Sequence, residues 1–425
     1  MTRSAFSPDP AYEIPYLLGV YLGLNAVSDA GLVVDGLPCA TVKADFIAGN
    51  HDLYSTLLSE SGAHRVMCTG RPPINPDRTP EKQIAGIVES AANCGQFSVI
   101  VLTGLPFLKI TGLDHEGLAA GIGGRAPIAV VPSDSMGGDW LDGYAAFLDA
   151  LARALPPAPG RRIKRSVALV GCLVDRLEGD SAGNLEELRR LLGFAGLELV
   201  SAWPSGGSAA ELSRAARAEL IISLPYGRKA ARTLARRFGA RLVETGLPAG
   251  LAGTRRWLAA VIRAAGLKGG LPKVYLEEER RAAAAIAPAL PALAHRRLLF
   301  CGDPVLFGAV AGFAEELALV PSLAVLDAAP RPLSLREKPD VLLYRPGVSQ
   351  ARSALEALPP RRRPALAVMN SFGVTEKLAG GAPYFELGFP SYGRHCLASE
   401  PWLGLAGARF LATRLLNCAA AGGAR

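Results

Sequence analysis

The chain has 425 residues, 50% of them hydrophobic and 20% charged, a balance that excludes intrinsic disorder because so much apolar surface offsets the entropy of ordering. Its 46 Lys and Arg against 38 Asp and Glu leave a net charge of +8, without the basic stripe interleaved with aromatics that marks a nucleic-acid binder. Seven cysteines in so long a chain exclude a disulfide scaffold.

Met1 to Pro15 carries Asp9 and Glu13 and has no apolar leader core, so a cytoplasmic protein with reduced thiols is expected. The apolar runs at 98–108 and 167–174 fall short of the ~20 residues a membrane-spanning helix needs. Short β-type runs alternate with longer Ala, Leu and Arg segments of helical period, the pattern of βαβ units and a mostly parallel sheet. Strands are predicted over 31–35, 98–103, 128–131, 167–170, 197–202, 220–223, 298–300, 341–344 and 365–368. They fall into three sets, divided by Pro156-Pro157-Ala158-Pro159-Gly160 and Pro288-Ala289-Leu290-Pro291. The expectation is an α/β protein of three units, residues 1–158, 159–290 and 291–425. The runs Arg161-Arg162-Ile163-Lys164-Arg165 and Arg361-Arg362-Arg363 stand beside prolines and read as solvated linker charge.

In the first unit, Val33-Val34-Asp35-Gly36-Leu37-Pro38-Cys39 is a strand end followed by a turn that presents a thiol. A second thiol ends the short apolar run Val66-Met67-Cys68, before Thr69-Gly70. Thiolates on turns after strands are placed to ligate a soft metal or an iron–sulfur cluster. Free cysteine more commonly just packs as a small hydrophobe, and this spacing matches no compact ferredoxin run. The next strand ends in Thr103-Gly104-Leu105-Pro106 and leads into Ile110-Thr111-Gly112-Leu113-Asp114.

The middle unit opens with Val167-Ala168-Leu169-Val170-Gly171-Cys172 and then predicts a helix. Leu185, Leu188, Leu191 and Leu192 form its buried face, Glu186, Glu187, Arg189 and Arg190 the other, with Ser181 or Asn184 as cap. The third unit repeats this grammar: strand Leu298-Leu299-Phe300, turn Cys301-Gly302-Asp303-Pro304, and a helix over 306–317. Packing is the reading for Cys172 and Cys301; Cys94, Cys396 and Cys418 read as structural or incidental. The chain has no P-loop, so ATP hydrolysis by this chain is not expected. It also lacks Gly-x-Ser-x-Gly, His-Glu-x-x-His and Cys-x-x-Cys.

Taken in order, these segments resemble the nitrogenase component 1 superfamily, which includes its cofactor-assembly scaffold and the light-independent protochlorophyllide and chlorophyllide reductases. Gly36-Leu37-Pro38-Cys39 is similar to the family's early Gly-x-x-Cys turn, and Cys68 to its second cysteine. Ile110-Thr111-Gly112-Leu113-Asp114 resembles the turn that follows the third, but the strand end before it has no cysteine. Cys301-Gly302-Asp303-Pro304 resembles the opening of the family's last domain. Gly388-Phe389-Pro390-Ser391-Tyr392-Gly393-Arg394-His395, followed by residues 401–408, is similar to a signature of β-type subunits.

The resemblance implies three Rossmann-like domains with mostly parallel sheets, and a β-like oxidoreductase subunit of a heterotetramer with an α-like component 1 partner. It implies an iron–sulfur cluster, of the 4Fe-4S kind or related, shared with that partner and ligated here by Cys39 and Cys68. It also implies an ATP-dependent iron–sulfur reductase that docks and delivers electrons singly. The segment 220–228, which resembles the cysteine region of a catalytic metallocluster, has no cysteine, and the matching histidine position falls near Leu403. The chain is therefore not expected to hold such a cofactor alone. Arg394 and His395 are open as substrate contacts or as hydrogen-bonded structural residues. Two other readings stand beside this one: an assembly-scaffold subunit that binds and hands on a metallocluster precursor, and a small-ligand module of repeated Rossmann-like domains. Nothing in the sequence selects a substrate.

Overall fold

Runs of Val, Leu and Ile closed by Gly, Pro or Asp turns form thirteen strands among the described residues of the computed structural model, which are 9–59, 62, 64–70, 80–105, 112–133, 137–333 and 335–423. The first set is β1 (Ala30–Asp35), β2 (Val66–Cys68), β3 (Val99–Gly104) and β4 (Ile128–Val130). The second is β5 (Ser166–Val170), β6 (Glu198–Trp203), β7 (Leu220–Ser223) and β8 (Arg241–Glu244). The third is β9 (Arg297–Gly302), β10 (Val320–Leu326), β11 (Val341–Tyr344), β12 (Leu366–Met369) and β13 (Tyr384–Glu386). They make three sheets, ordered β2-β1-β3-β4, β6-β5-β7-β8 and β11-β10-β9-β12-β13, and every strand pairing in them is parallel. The protein is thus α/β with three Rossmann-like sheets. Strands β1, β3, β5 and β7 are buried along their whole length, as parallel strands covered on both faces must be.

Strands β2, β8, β10 and β13 were not among the predicted ones, each for a local reason. β2 and β13 have three residues each, too few to show a period. β8 is an edge strand whose Arg241 and Glu244 ends are exposed, the charged dress of an unpaired edge. β10 contains Pro321, where its register against β9 shifts, and proline argues against a strand interior.

In all three sheets the order reverses beside the first strand, between β1 and β3, β5 and β7, and β9 and β12. Such a reversal opens a crevice at the carboxyl edge, the usual ligand position of an α/β sheet. In the middle sheet that crevice is closed by backbone. Gly171 has φ +88°, and a Cβ there would overlap the backbone of Gly227.

The helix Gly179–Phe194 starts earlier than the cap residues proposed for it, so Ser181 and Asn184 lie inside it and are buried. Asn184 accepts the backbone N–H groups of Trp402 and Leu403, both at 2.9 Å. Glu187, expected on the solvent face, is buried instead and accepts Leu405 N–H at 3.0 Å and Ala406 N–H at 3.1 Å. These bonds satisfy orphan donors at the start of the last helix, Gly404–Gly423. That helix packs on Gly179–Phe194, Gly250–Ala264 and Lys273–Ile286. The proline passage near 290 is helical, Ala287–Ala289 and Leu290–Leu293, with proline in the first helical positions. One apolar core runs from helix Tyr16–Asn25 and the first sheet, through helix Trp140–Ala154, to Ala168, Val170 and Ile221 of the second. No helix of the described residues is long and apolar enough to cross a membrane.

Candidate functional site

The carboxyl edge of the first sheet gathers both predicted cysteines. β1 ends at Asp35 and turns at Gly36, whose φ is +144° and where a Cβ would overlap the Leu105 side chain. Cys39 follows as the first residue of the short helix Cys39–Val42 and is exposed; Cys68 closes β2 and is half-buried. The short helix packs against β2. The buried phenol of Tyr21 donates to Ala40 O at 2.6 Å. Its pKa is raised well above the ordinary value, first by burial and then by the two thiols of Cys39 and Cys68, so both sulfurs neighbour one ring. Both thiols are free.

Cys68 and Thr103 are each in register with Val34, so their side chains leave the sheet on one face. Thr103 Oγ1 is buried without a hydrogen-bond partner among the described residues. Opposite it the structure adds a pair that the sequence did not single out. His115 Nε2 lies 3.3 Å from the fully buried carboxylate of Asp35, and Thr69 Oγ1 donates to the same carboxylate at 2.9 Å. Eighty positions separate His115 from Asp35, and no local pattern announces such a pairing. Of the turn proposed around 106–114, Pro106, Ile110 and Thr111 lie outside the described residues; Asp114 caps the helix His115–Ala120 through its side chain. Among the described residues, no three His, Cys, Asp or Glu side chains converge as they would around a single metal ion.

A second constellation forms where loops from the three sheets meet. Glu178, whose side chain is fully buried, accepts Cys396 N–H at 2.6 Å and Leu53 N–H at 3.2 Å, and its Oε1 lies 2.8 Å from His395 Nδ1. Burial would raise its pKa, but these donors and Arg176 hold it below the usual carboxylate value. Arg176 is paired with Asp180 and donates to Arg394 O at 2.7 Å. Arg394 pairs with Glu400 at 2.8 Å and stacks over Phe385 at 4.9 Å. Half-buried Asp175 has its pKa pushed up to about 7 by burial and by Asp180. Arg394 and His395 therefore both have protein partners. The His395 side chain nevertheless keeps 29% exposure, and its Nε2 has no hydrogen-bond partner among the described residues. The remaining cysteines of interest are inert: Cys172, Cys301 and Cys396 are buried, and burial pushes Cys172 and Cys396 up to about 12.

The sequence model of the family described as nitrogenase component 1 type oxidoreductase matches residues 81–419. The chain belongs to that family. Among curated proteins, this component 1 type chain is 29% identical over 165 residues to a light-independent protochlorophyllide reductase subunit N from Acidiphilium rubrum, covering 39% of this chain and 36% of the relative. It is 28% identical over 206 residues to the subunit of the same name from Halorhodospira halophila, covering 48% and 46%. The chain thus spans less than half the length of either relative. Among solved structures it superposes on a nitrogenase Cp1 determined at pH 6.5 with a TM-score of 0.79 at 15% identity, covering 99% of this chain and 95% of that one. Nitrogenase Cp1 at pH 5 gives 0.71 at 12% identity over 98% and 90%. At such identities the likeness is one of fold.

Proposed function

We propose that the chain is a β-like subunit of a two-subunit reductase that takes electrons from an ATP-dependent iron–sulfur partner. Cys39 and Cys68 would contribute part of the thiolate shell of an iron–sulfur cluster, the rest coming from an α-like subunit. The observation that carries this reading is that two free thiols, one of them exposed, stand at the carboxyl ends of β1 and β2 beside the Tyr21 ring. The donor set fits an edge of a shared cluster and not a single ion. Cluster ligands stand on different irons, and two thiolates leave a shell for another chain to complete. The unpartnered Thr103 hydroxyl on the Cys68 face is the kind of donor that bound sulfide accepts.

The surface beside Cys39 supports a partner there. Val42 and Phe46, within seven positions of Cys39, are large apolar side chains 63% and 48% exposed, surface of the sort that marks a protein interface. The β-like assignment rests on residues 388–395, and a chain without a P-loop is compatible with ATP hydrolysis by a separate reductase. The bound cluster would store single electrons and pass them on. In this chain Cys39 and Cys68 would hold it, and Tyr21, neutral at ordinary pH, would pack beside it without adding charge. The names of the curated relatives favour a conjugated tetrapyrrole as substrate.

Anaerobic co-expression with an α-like partner tests the reading. Iron and sulfide are quantified for the wild-type complex, Cys39→Ala and Cys68→Ala; both variants are expected to lose iron. Equal iron in all three overturns the ligand assignment. Cluster transfer to an apo-protein without turnover of any substrate assigns the scaffold role instead.

A further inference from the structure

We propose that His395, held by Glu178, donates a proton to the substrate reduced on this complex, and that the apolar face formed by Leu53, Tyr54 and Leu397 receives the substrate's ring system. The proposal rests on the reductase reading above and names the site where its chemistry ends.

Three observations meet at this position. The first is the pair itself. A fully buried carboxylate 2.8 Å from Nδ1 takes the proton of that nitrogen as its hydrogen-bond donor, fixing the ring and turning Nε2 outward. Leu53 N–H, Cys396 N–H and Arg176 hold Glu178 in place and ionised, so the ring is oriented by an anchored group and not by a mobile side chain.

The second observation is what borders the ring. Leu53 and Tyr54 are 48% and 51% exposed and Leu397 is 76% exposed. Leu53 is tied to Glu178 through its backbone, and Leu397 lies two residues beyond His395. An oriented acid at the margin of an exposed apolar and aromatic surface suits a flat conjugated ligand with a reducible double bond.

The third is continuity. Cys39 and Leu53, whose N–H Glu178 accepts, lie fourteen positions apart, so one short stretch of chain links the proposed electron entry to the Glu178–His395 pair. Reduction of one ring double bond breaks its π bond and forms two C–H bonds, using two electrons and two protons. The reductase supplies the electrons one at a time. His395 Nε2 gives one proton and water the other, and water then reprotonates the partly exposed imidazole.

The test uses the complex of this chain, its α-like partner and the reductase, with protochlorophyllide as probe. His395→Gln is expected to keep its iron and thermal stability and to lose about 100-fold in turnover, the scale of a lost general acid, together with the pH dependence of the rate. Glu178→Gln should lower kcat with KM and iron content unchanged, and Tyr54→Ser should raise KM with kcat nearly unchanged. His395→Gln turning over within twofold of wild type with the same pH profile overturns the proposal. So does an iron-replete wild-type complex that does not reduce protochlorophyllide. A wild-type complex without iron overturns the reductase reading itself, which the iron measurement separates from the other two results.

Discussion

His51 joins three distant stretches of the chain through its two ring nitrogens: Nδ1 accepts the Ser391 N–H at 2.9 Å, and Nε2 donates to the Asp175 carbonyl at 3.0 Å. A nitrogen that accepts a backbone N–H carries no proton, so the ring is neutral and its tautomer is fixed. Its edge also meets Phe389 at 4.8 Å between centroids. The adjacent Asp52 accepts from Asn25 at 2.6 Å and from Leu177 N–H at 2.9 Å, so the loop is clamped on both sides.

This geometry makes His51 a source of acid sensitivity. Burial first, and Arg176 second, lower its pKa to about 4. Between its ordinary value near 6.5 and about 4, the unfolded chain binds a proton that the folded chain refuses, so stability falls as pH drops through that window. Asp175, with a raised pKa, acts in the opposite sense, so the difference between variants isolates the histidine. In thermal melts from pH 7 to pH 4, His51→Gln should lose less stability than wild type over the same range. Parallel curves for the two proteins would remove His51 from the account.

Gly36→Ala tests the turn that carries Cys39. A methyl group there overlaps the Leu105 side chain at a backbone angle that L-residues avoid. A loss of about 1–3 kcal/mol in urea unfolding is expected from overpacking and strain. A neutral result would mean that the turn relaxes freely and does not fix Cys39.

Thr103→Val exchanges a buried hydroxyl without a partner among the described residues for a methyl of similar shape. In the chain alone the change should be neutral or stabilising by up to about 1 kcal/mol, since no internal hydrogen bond is lost. A loss larger than that in denaturant titration would reveal a partner for the hydroxyl in the free chain.

Phe46→Asp places a charge in the apolar patch beside Cys39. Phe46 is half exposed, so the melting temperature of the chain alone should change little. Co-purification with an α-like subunit should be lost or sharply weakened, because an unpaired charge is costly to bury at an interface. Unchanged co-purification would move the interface elsewhere.

Where one signal sufficed, the sequence was informative. The continuous apolar run at β5 and the turn at Asp303, which proves to cap the next helix by accepting Val305 N–H at 2.7 Å, follow from local chemistry; the cap was not legible, but the run and the turn were. So was Cys39, because a Gly/Pro turn after a buried strand leaves a thiol few places to go. What escaped was set by contacts between remote positions. Glu187 reads as a solvent-facing helical residue until Leu405 and Ala406 bring it unsatisfied N–H groups. His395 reads as one polar residue in a loop until Glu178, 217 positions away, meets it. Tertiary pairing of polar groups has no period, which is why most strands were found and the dyads and the true helix caps were not.

The return of the last helix to the middle of the molecule has a consequence for synthesis. The surface of Gly179–Phe194 that faces Gly404–Gly423 cannot be covered while the ribosome is still making the third sheet. Until residues 403–423 emerge, Leu403 and Leu405 are missing from the second core, where they are fully buried once folded. The middle unit therefore waits, partly open, for residues beyond the third sheet, and a stall or truncation near residue 400 would leave two units exposed instead of one.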